Sequence, residues 1–386
     1  MKRFLILALA LATAFKLYLA LFTQGSFDLL VYQGHLKKIQ ELGVGAYRAE
    51  GLYYNPFNHP PLMIYLLRFW GWLSHSGLPF HFWLRLPSVL ADVGSFFLVW
   101  HWLKKLNREN VWVLLALALC PASILISGFH GNTDSLMMFL VLLSIYLIEK
   151  ESRWAGVVFG VAVGVKVMPL IFCPAIFFYL SWRKRFEFFA LACGVFLICS
   201  LPYVVQDPGA VWHAVFAYSS VYGGWGWTLI AYVLSPEVPA YLHVHGDMHY
   251  GVQGGHALIA TALKWLTITL ATVVPFWMRR DLFVQCGVIT TIVLFFAPGF
   301  GYQYLVWLVP FVTLVGLRMT LAYYLSTGLY LSTVYICYAE RWTCPSPFYL
   351  SLMSLVCWLT VLAILLHWRA LIANRDSPIT GEASSK

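Results

Sequence analysis

A lone carboxylate, Asp28, follows directly on the first long apolar run. Behind it Leu29, Tyr32, Leu36 and Ile39 recur at helical spacing, with Lys37, Lys38 and Glu41 on another side. A carboxylate held where an apolar run gives way to an amphipathic helix either caps that helix or takes a proton from a bound hydroxyl in a cavity at membrane level. Lys166 interrupts AGVVFGVAVGVK and VMPLIFCPAIFFYL, two runs too short for comfortable independent spans. An ammonium there either snorkels to the headgroups or meets an anion. The segment FHGNTD brings His130, Asn132 and Asp134 together, as a turn and helix cap or as a polar lining with a second carboxylate. Asp92 follows Arg85 by about two helical turns on one face, and a carboxylate that deep is either paired or lines a cavity.

What positions these groups is set by composition. Of 386 residues, 61% are apolar and 11% charged, with a mean hydropathy of +0.75. Soluble domains carry about a quarter charged residues, so an ordinary globular enzyme is excluded. The apolar runs lack the alternation of a barrel, which leaves an all-α membrane bundle. The net charge of +9 sits in short clusters between these runs, as cytoplasmic loops carry it, and not as a nucleic-acid surface. The eight cysteines form no CxxC and read as small core hydrophobes, with a disulfide between Cys337 and Cys344 as an outer-loop alternative.

The N-terminal charge followed by FLILALALATAFKLYLALF resembles a signal peptide, but the run is too long and lacks a small-residue cleavage site, so it reads as the first span. Keeping the basic clusters inside demands an even number of crossings, about twelve. Their expected bounds are 4–23, 85–103, 111–128, 134–148, 154–165, 167–181, 186–204, 257–278, 282–298, 303–317, 320–338 and 348–367. Both termini are then cytoplasmic in a plasma (inner) membrane protein. Residues 1–368 form one membrane unit, and 369–386 form a disordered tail. The first extracytoplasmic loop, 24–84, carries surface helices, among them PLMIYLLRFWGWL with Arg68; the second large outer loop is 205–256.

The loop with Asp28, Tyr32, Gly43, Tyr47 and NPFNHPPLMIYLL resembles the GT-C membrane glycosyltransferases, which use polyprenyl-phosphate sugars. RLPSVLADVGSFFLVW, GFHGNTDSLMMFLVLLSIYL, the run around Lys166 and GYQYLVWLVPF extend the likeness in order over residues 4–317. It is nearest the bacterial branch that looks like alpha-mannosyltransferases. The resemblance implies that Asp28 is the catalytic base. Some members carry Asp-x-Asp at this point, whereas here Leu29 and Leu30 follow, so no metal or other cofactor is expected and a divalent ion is the lesser alternative. Lys166 is the cation for the donor phosphate, with Arg68 and Arg85 as further outer-side clamps, Arg85 alternatively serving only to anchor its span at the headgroup level. His59, Asp92, His130, Asn132, Asp134, Tyr302 and Gln303 are candidates for the sugar or acceptor.

The implied reaction is inverting transfer of a sugar, mannose above all, to an extracytoplasmic hydroxyl of a glycan, glycolipid or protein. A transporter or lipid flippase is the alternative, with a scaffold subunit as a third. Transporters gather polar groups at mid-bilayer, while here they collect at outer helix ends. In the second outer loop His243, His245, His249 and His256 with Asp247 are ligand-like in spacing, although loops of this composition more often only hydrogen-bond and stack. Trp225 and Trp227 suit a sugar face or the interfacial belt. No Walker loop or Rossmann fingerprint is present, which disfavours a nucleotide-sugar donor.

Overall fold

The computed structural model describes residues 2–48, 57–216, 220–235, 241–244, 247–250, 254–278, 281–339 and 347–373. It is a helical, membrane-embedded bundle. In chain order the helices are α1 (Lys2–Phe22), α2 (Phe27–Leu42), α3 (Leu62–Leu73), α4 (Phe80–Lys105), α5 (Val111–Ala118) and α6 (Pro121–Ser123). There follow α7 (Asp134–Glu149), α8 (Trp154–Val165), α9 (Cys173–Tyr179), α10 (Trp182–Gln206), α11 (Pro208–Phe216) and α12 (Gly226–Leu234). The last are α13 (Gly254–Trp277), α14 (Leu282–Phe296), α15 (Val309–Val312), α16 (Leu317–Ala339) and α17 (Pro347–Ala373). The sequence pattern did not announce one short antiparallel hairpin, Tyr241–Val244 with Asp247–Tyr250.

Among the described residues six helices are long and apolar enough to cross a membrane, including Lys2–Phe22, Phe80–Lys105, the composite Val111–His130 and Trp182–Gln206. That is half the crossings expected. Expected spans 167–181 and 303–317 are broken into short helical pieces, Met168–Tyr179 and Tyr302–Val315. Pro169, Pro174 and Pro310 stand at the starts of pieces within them, because proline suits a helix's first turn and removes a bond from its interior. Arg279 and Arg280, the Cys337–Cys344 pairing and the tail from 374 lie outside the described residues.

α1 shows why the bundle forms. Leu5, Leu9, Ala12, Lys16 and Ala20 face inward at helical spacing, while Phe4, Leu7, Leu11, Phe15 and Tyr18 are exposed. An apolar outer stripe on a helix about 31 Å long is a lipid contact. The main core runs through α4, α7, α8, α14 and α16. A second, smaller core joins Leu29, Tyr32 and Ile39 of α2 to Met63, Ile64 and Leu67 of α3 and to Val211 and Val215 of α11. Helices α2 and α3, with α11, thus form a cap with its own interior, seated on the bundle.

The corner from α1 into this cap depends on glycine. Gly25 has φ +70°, and a Cβ there would lie 1.8 Å from Arg85 Nη2 and 2.5 Å from the Phe129 carbonyl. Gly25→Ala therefore combines left-handed strain with a clash against a fully buried side chain and a backbone atom. The expected loss is about 2 kcal/mol or more, read as a lower melting temperature in detergent. A melting curve matching the parent would refute this tight corner.

Candidate functional site

Ser26, not Asp28, caps α2. Its Oγ accepts the Asp28 amide N–H at 3.3 Å and donates to the His130 carbonyl at 2.9 Å. The Asp28 carboxylate is thereby left for other contacts, in the first turn where the helix dipole favours an anion. Asn132 Nδ2 donates to Asp28 Oδ2 at 2.9 Å, and His130 Nε2 lies 3.1 Å from the same oxygen. The Asn132 amide is oriented by its own Oδ1, which accepts the Thr133 N–H at 2.7 Å and the Tyr32 hydroxyl at 3.3 Å. The His130 ring stacks on Tyr335 at 5.3 Å. About a third of the Asp28 side chain, 35%, remains open.

Burial alone would raise the Asp28 pKa, but His130, the Asn132 hydrogen bond and the Lys166 charge outweigh it and bring it down to about 2. The group is ionised throughout the physiological range. His59 stands on the far side of Tyr32, whose hydroxyl lies 3.2 Å from His59 Nε2 and whose ring stacks on it at 5.4 Å. Tyr47 donates to the His59 carbonyl at 2.6 Å, and the imidazole bonds the backbone of Val165. Burial pushes His59 well below the usual histidine range, so its ring is neutral at pH 7.

Lys166 follows Val165 at the end of α8, where the backbone turns extended. Its Nζ donates to Asp134 Oδ2 at 2.5 Å; Asp134 is fully buried and also accepts from Trp307 Nε1 at 2.7 Å. An ammonium has three N–H groups, and Asp134 uses one. The cap (Asp28, Tyr32, His59) and the bundle (His130, Asn132, Asp134, Lys166) therefore meet at one polar seam.

The other sequence candidates are placed differently. Arg85 is fully buried, its Nη1 donating to the carbonyls of Leu19, Ala20 and Thr23 and so ending α1. Asp92 pairs with Lys16 at 2.6 Å, deeper in the bundle. Arg68 is on the exposed side of α3 beside exposed Tyr65 and Phe69. Tyr302 and Gln303, half-buried, begin the same 3-10 segment that carries Trp307. His256 donates from Nε2 to the Ser235 carbonyl and meets the Tyr222 hydroxyl through Nδ1, while the side chains of His243, His245, Asp247 and His249 lie outside the described residues. Trp225 is buried, stacked on Phe300 at 4.2 Å.

Sequence reasoning did not single out Ser26, Trp307 or Tyr335, and gave Tyr32 no site role. Ser26 had a signal, a Ser just before an amphipathic run. Trp307 lies within GYQYLVWLVPF but is not distinguished there, and Tyr335 had no signal, since aromatics are abundant throughout this chain.

Residues 57–298 match the profile of glycosyltransferase family 87, well over half of the chain. That stretch contains His59, Arg85, His130, Asn132, Asp134 and Lys166; Asp28 precedes it. Among similar curated proteins, GPI mannosyltransferase 1 of Saccharomyces cerevisiae is 23% identical over 135 residues, 33% of this chain and 31% of that protein. The Eremothecium gossypii protein of the same name is 25% identical over 150 residues, 38% of this chain and 36% of its own. That of Debaryomyces hansenii is 23% identical over 253 residues, 59% of this chain and 57% of its own. The chain thus spans between about a third and somewhat over half of these relatives.

Proposed function

The chain belongs to glycosyltransferase family 87, and from that premise and the Asp28 seam we propose that it moves mannose from a polyprenyl-phosphate donor to an extracytoplasmic hydroxyl, with inversion. The observation that carries this reading is an ionised, partly open carboxylate held by Asn132 and His130 at the junction of cap and bundle. The relatives' name supplies the sugar, and a glycolipid is the acceptor class it favours.

The acceptor oxygen attacks the anomeric carbon as the bond from that carbon to the phosphate oxygen breaks. Its proton passes to Asp28, and the electron pair leaves on a prenyl monophosphate. A carboxylate this acidic is a weak base. It serves because the attacking hydroxyl becomes strongly acidic once its bond to the sugar carbon forms, so the proton moves late. Lys166, with Arg68 at the cap's exposed edge, supplies the positive charge for the leaving phosphate; this requires no divalent metal. About twelve crossings, counting the short paired helices, would put this seam on the outer side of the membrane with both termini inside. A transporter is disfavoured because the seam lies at helix ends and in the cap.

The test uses purified protein in liposomes with a panel of labelled polyprenyl-phosphate sugars and glycolipid acceptors. A mannosylated product with inverted linkage is expected, unaffected by EDTA; no product from any lipid-phosphate sugar would overturn the reading. The pH dependence is a second check. Asp28 is active only when ionised, and its lowered pKa, about 2, keeps it so far below neutrality. Between about pH 5 and 8 the rate should therefore show no carboxylate limb, whereas an ordinary aspartate, near 4, would begin to cut the rate at the acid end. A fall centred between about pH 4 and 5 would contradict the electrostatics of the site.

A further inference from the structure

Lys16 and Asp92 form an ion pair inside the bundle, about 10 Å deeper along α4 than Arg85. Charges in such a place are costly and rare. Lys16 Nζ donates to Asp92 Oδ2 at 2.6 Å and to Ser123 Oγ at 2.6 Å. The same Asp92 oxygen accepts from Ser123 Oγ at 2.7 Å and from Ser127 Oγ at 2.5 Å. Ser127 Oγ in turn lies 2.9 Å from Ser135 Oγ in the first turn of α7. Beside the pair is a small cavity lined by Ser95, Phe96, Met138, Val309 and Pro310.

Both serines that meet Asp92 bear on one unusual segment. Ser123 precedes, and Ser127 sits within, a seven-residue π-helix, Ile124–His130, whose last residue is the histidine beside Asp28. π-Turns are rare, short and frequent at functional sites. This one lies directly on α1, since a Cβ at Gly128 would meet the Lys16 Cα at 3.0 Å. Its exit is fixed by Gly131 with φ +82°, after which Asn132 follows, its carbonyl bonded by Ser88 of α4 at 2.8 Å. One end of the wide turn is thus tied to the ion pair, and the other delivers both partners of Asp28.

We infer that the Lys16–Asp92 pair is a positioning node that sets His130 and Asn132 against Asp28 through the π-turn. The inference rests on the proposed transferase reading for its rate assay. Lys16 and Asp92 touch no reacting atom in this scheme. They fix the register of the segment that does, and a displacement of about 1 Å can cost on the order of 100-fold.

The experiment compares Asp92→Asn, Lys16→Met and the milder Ser127→Ala, which leaves the ion pair intact. At saturating donor and acceptor, Asp92→Asn should lower kcat by about 10- to 50-fold with KM within about 2-fold, and Ser127→Ala by about 3- to 10-fold. In a His130→Gln background the effect of Asp92→Asn should shrink to under about 3-fold, because the two act on one arrangement. Hydrogen exchange read by mass spectrometry should quicken across residues 124–132 in Asp92→Asn and not in the cap helix α2. An unchanged kcat, or equal losses in both backgrounds, would overturn the inference. If Asp92→Asn fails to fold, Ser127→Ala decides: a parental kcat marks the pair as a structural staple. If the parent protein transfers no sugar, the transferase reading has failed, and exchange alone judges the node; unaltered exchange over 124–132 sinks it.

Discussion

Asp28→Asn leaves a folded protein that transfers sugar about 1,000-fold more slowly or not at all. The substitution is nearly isosteric, and its site is 35% open, so little packing changes. The Asn132 amide still finds an acceptor at position 28, and Ser26 still caps α2. What disappears is, among the described residues, the one carboxylate at the seam that is both ionised and open to an incoming hydroxyl. His59 cannot replace it, because its neutral ring is turned to Tyr32 and Val165. His130 cannot either, for it is stacked on Tyr335 and 3% exposed. The measurement is single-turnover transfer from labelled lipid-phosphate mannose, with a melting curve alongside. A shift of under a few degrees with the rate lost is expected. A folded Asp28→Asn protein within about tenfold of the parent rate would remove Asp28 as the base, whatever the family.

The same comparison explains what could be read from the chain before its fold was seen. Asp28, His59, His130, Asn132, Asp134 and Lys166 stood out because polar side chains beside apolar runs are expensive and therefore conspicuous. Their convergence at one seam follows from ordinary helix geometry once the runs are paired. Sequence logic was weaker on partners. Asp134 reads as a helix cap or a second pocket carboxylate, yet it is sealed between Lys166 and Trp307. Asp92 reads as a pocket wall or a paired charge; its partner Lys16 lies 76 positions earlier, inside a run that reads simply as the first span. Arg85 reads as a phosphate cation or as an anchor of its span, and the fold shows its Nη1 on the carbonyls that end α1. In each case the deciding contact is long-range in sequence, so no local pattern announces it. The break in two of the expected spans has a related reason. Hydropathy sees the apolar runs at 167–181 and 303–317, but not that prolines divide them into pieces too short to cross alone.

The second large effect separates the structural and chemical duties of Lys166. Lys166→Met strands Asp134, fully buried, with only the Trp307 N–H. Removing one member of a buried pair costs about 3–5 kcal/mol. Asp134→Asn should be milder, because Lys166 is 13% exposed and can turn its ammonium toward water. The double variant Lys166→Met/Asp134→Asn removes both charges, and its stability should return most of the way to the parent. Activity should not follow. If Lys166 also holds the donor phosphate, the refolded double variant keeps Asp28 and its partners but raises the KM for the lipid-phosphate sugar by about 10- to 100-fold, the loss of one charge-assisted contact of about 1.5–3 kcal/mol. Lys166→Arg is the complementary case, since it keeps the charge, and donor affinity should stay nearer the parent's. A double variant as stable as the parent and with the parent's KM would confine Lys166 to pairing with Asp134 and leave the phosphate to other cations of the cap.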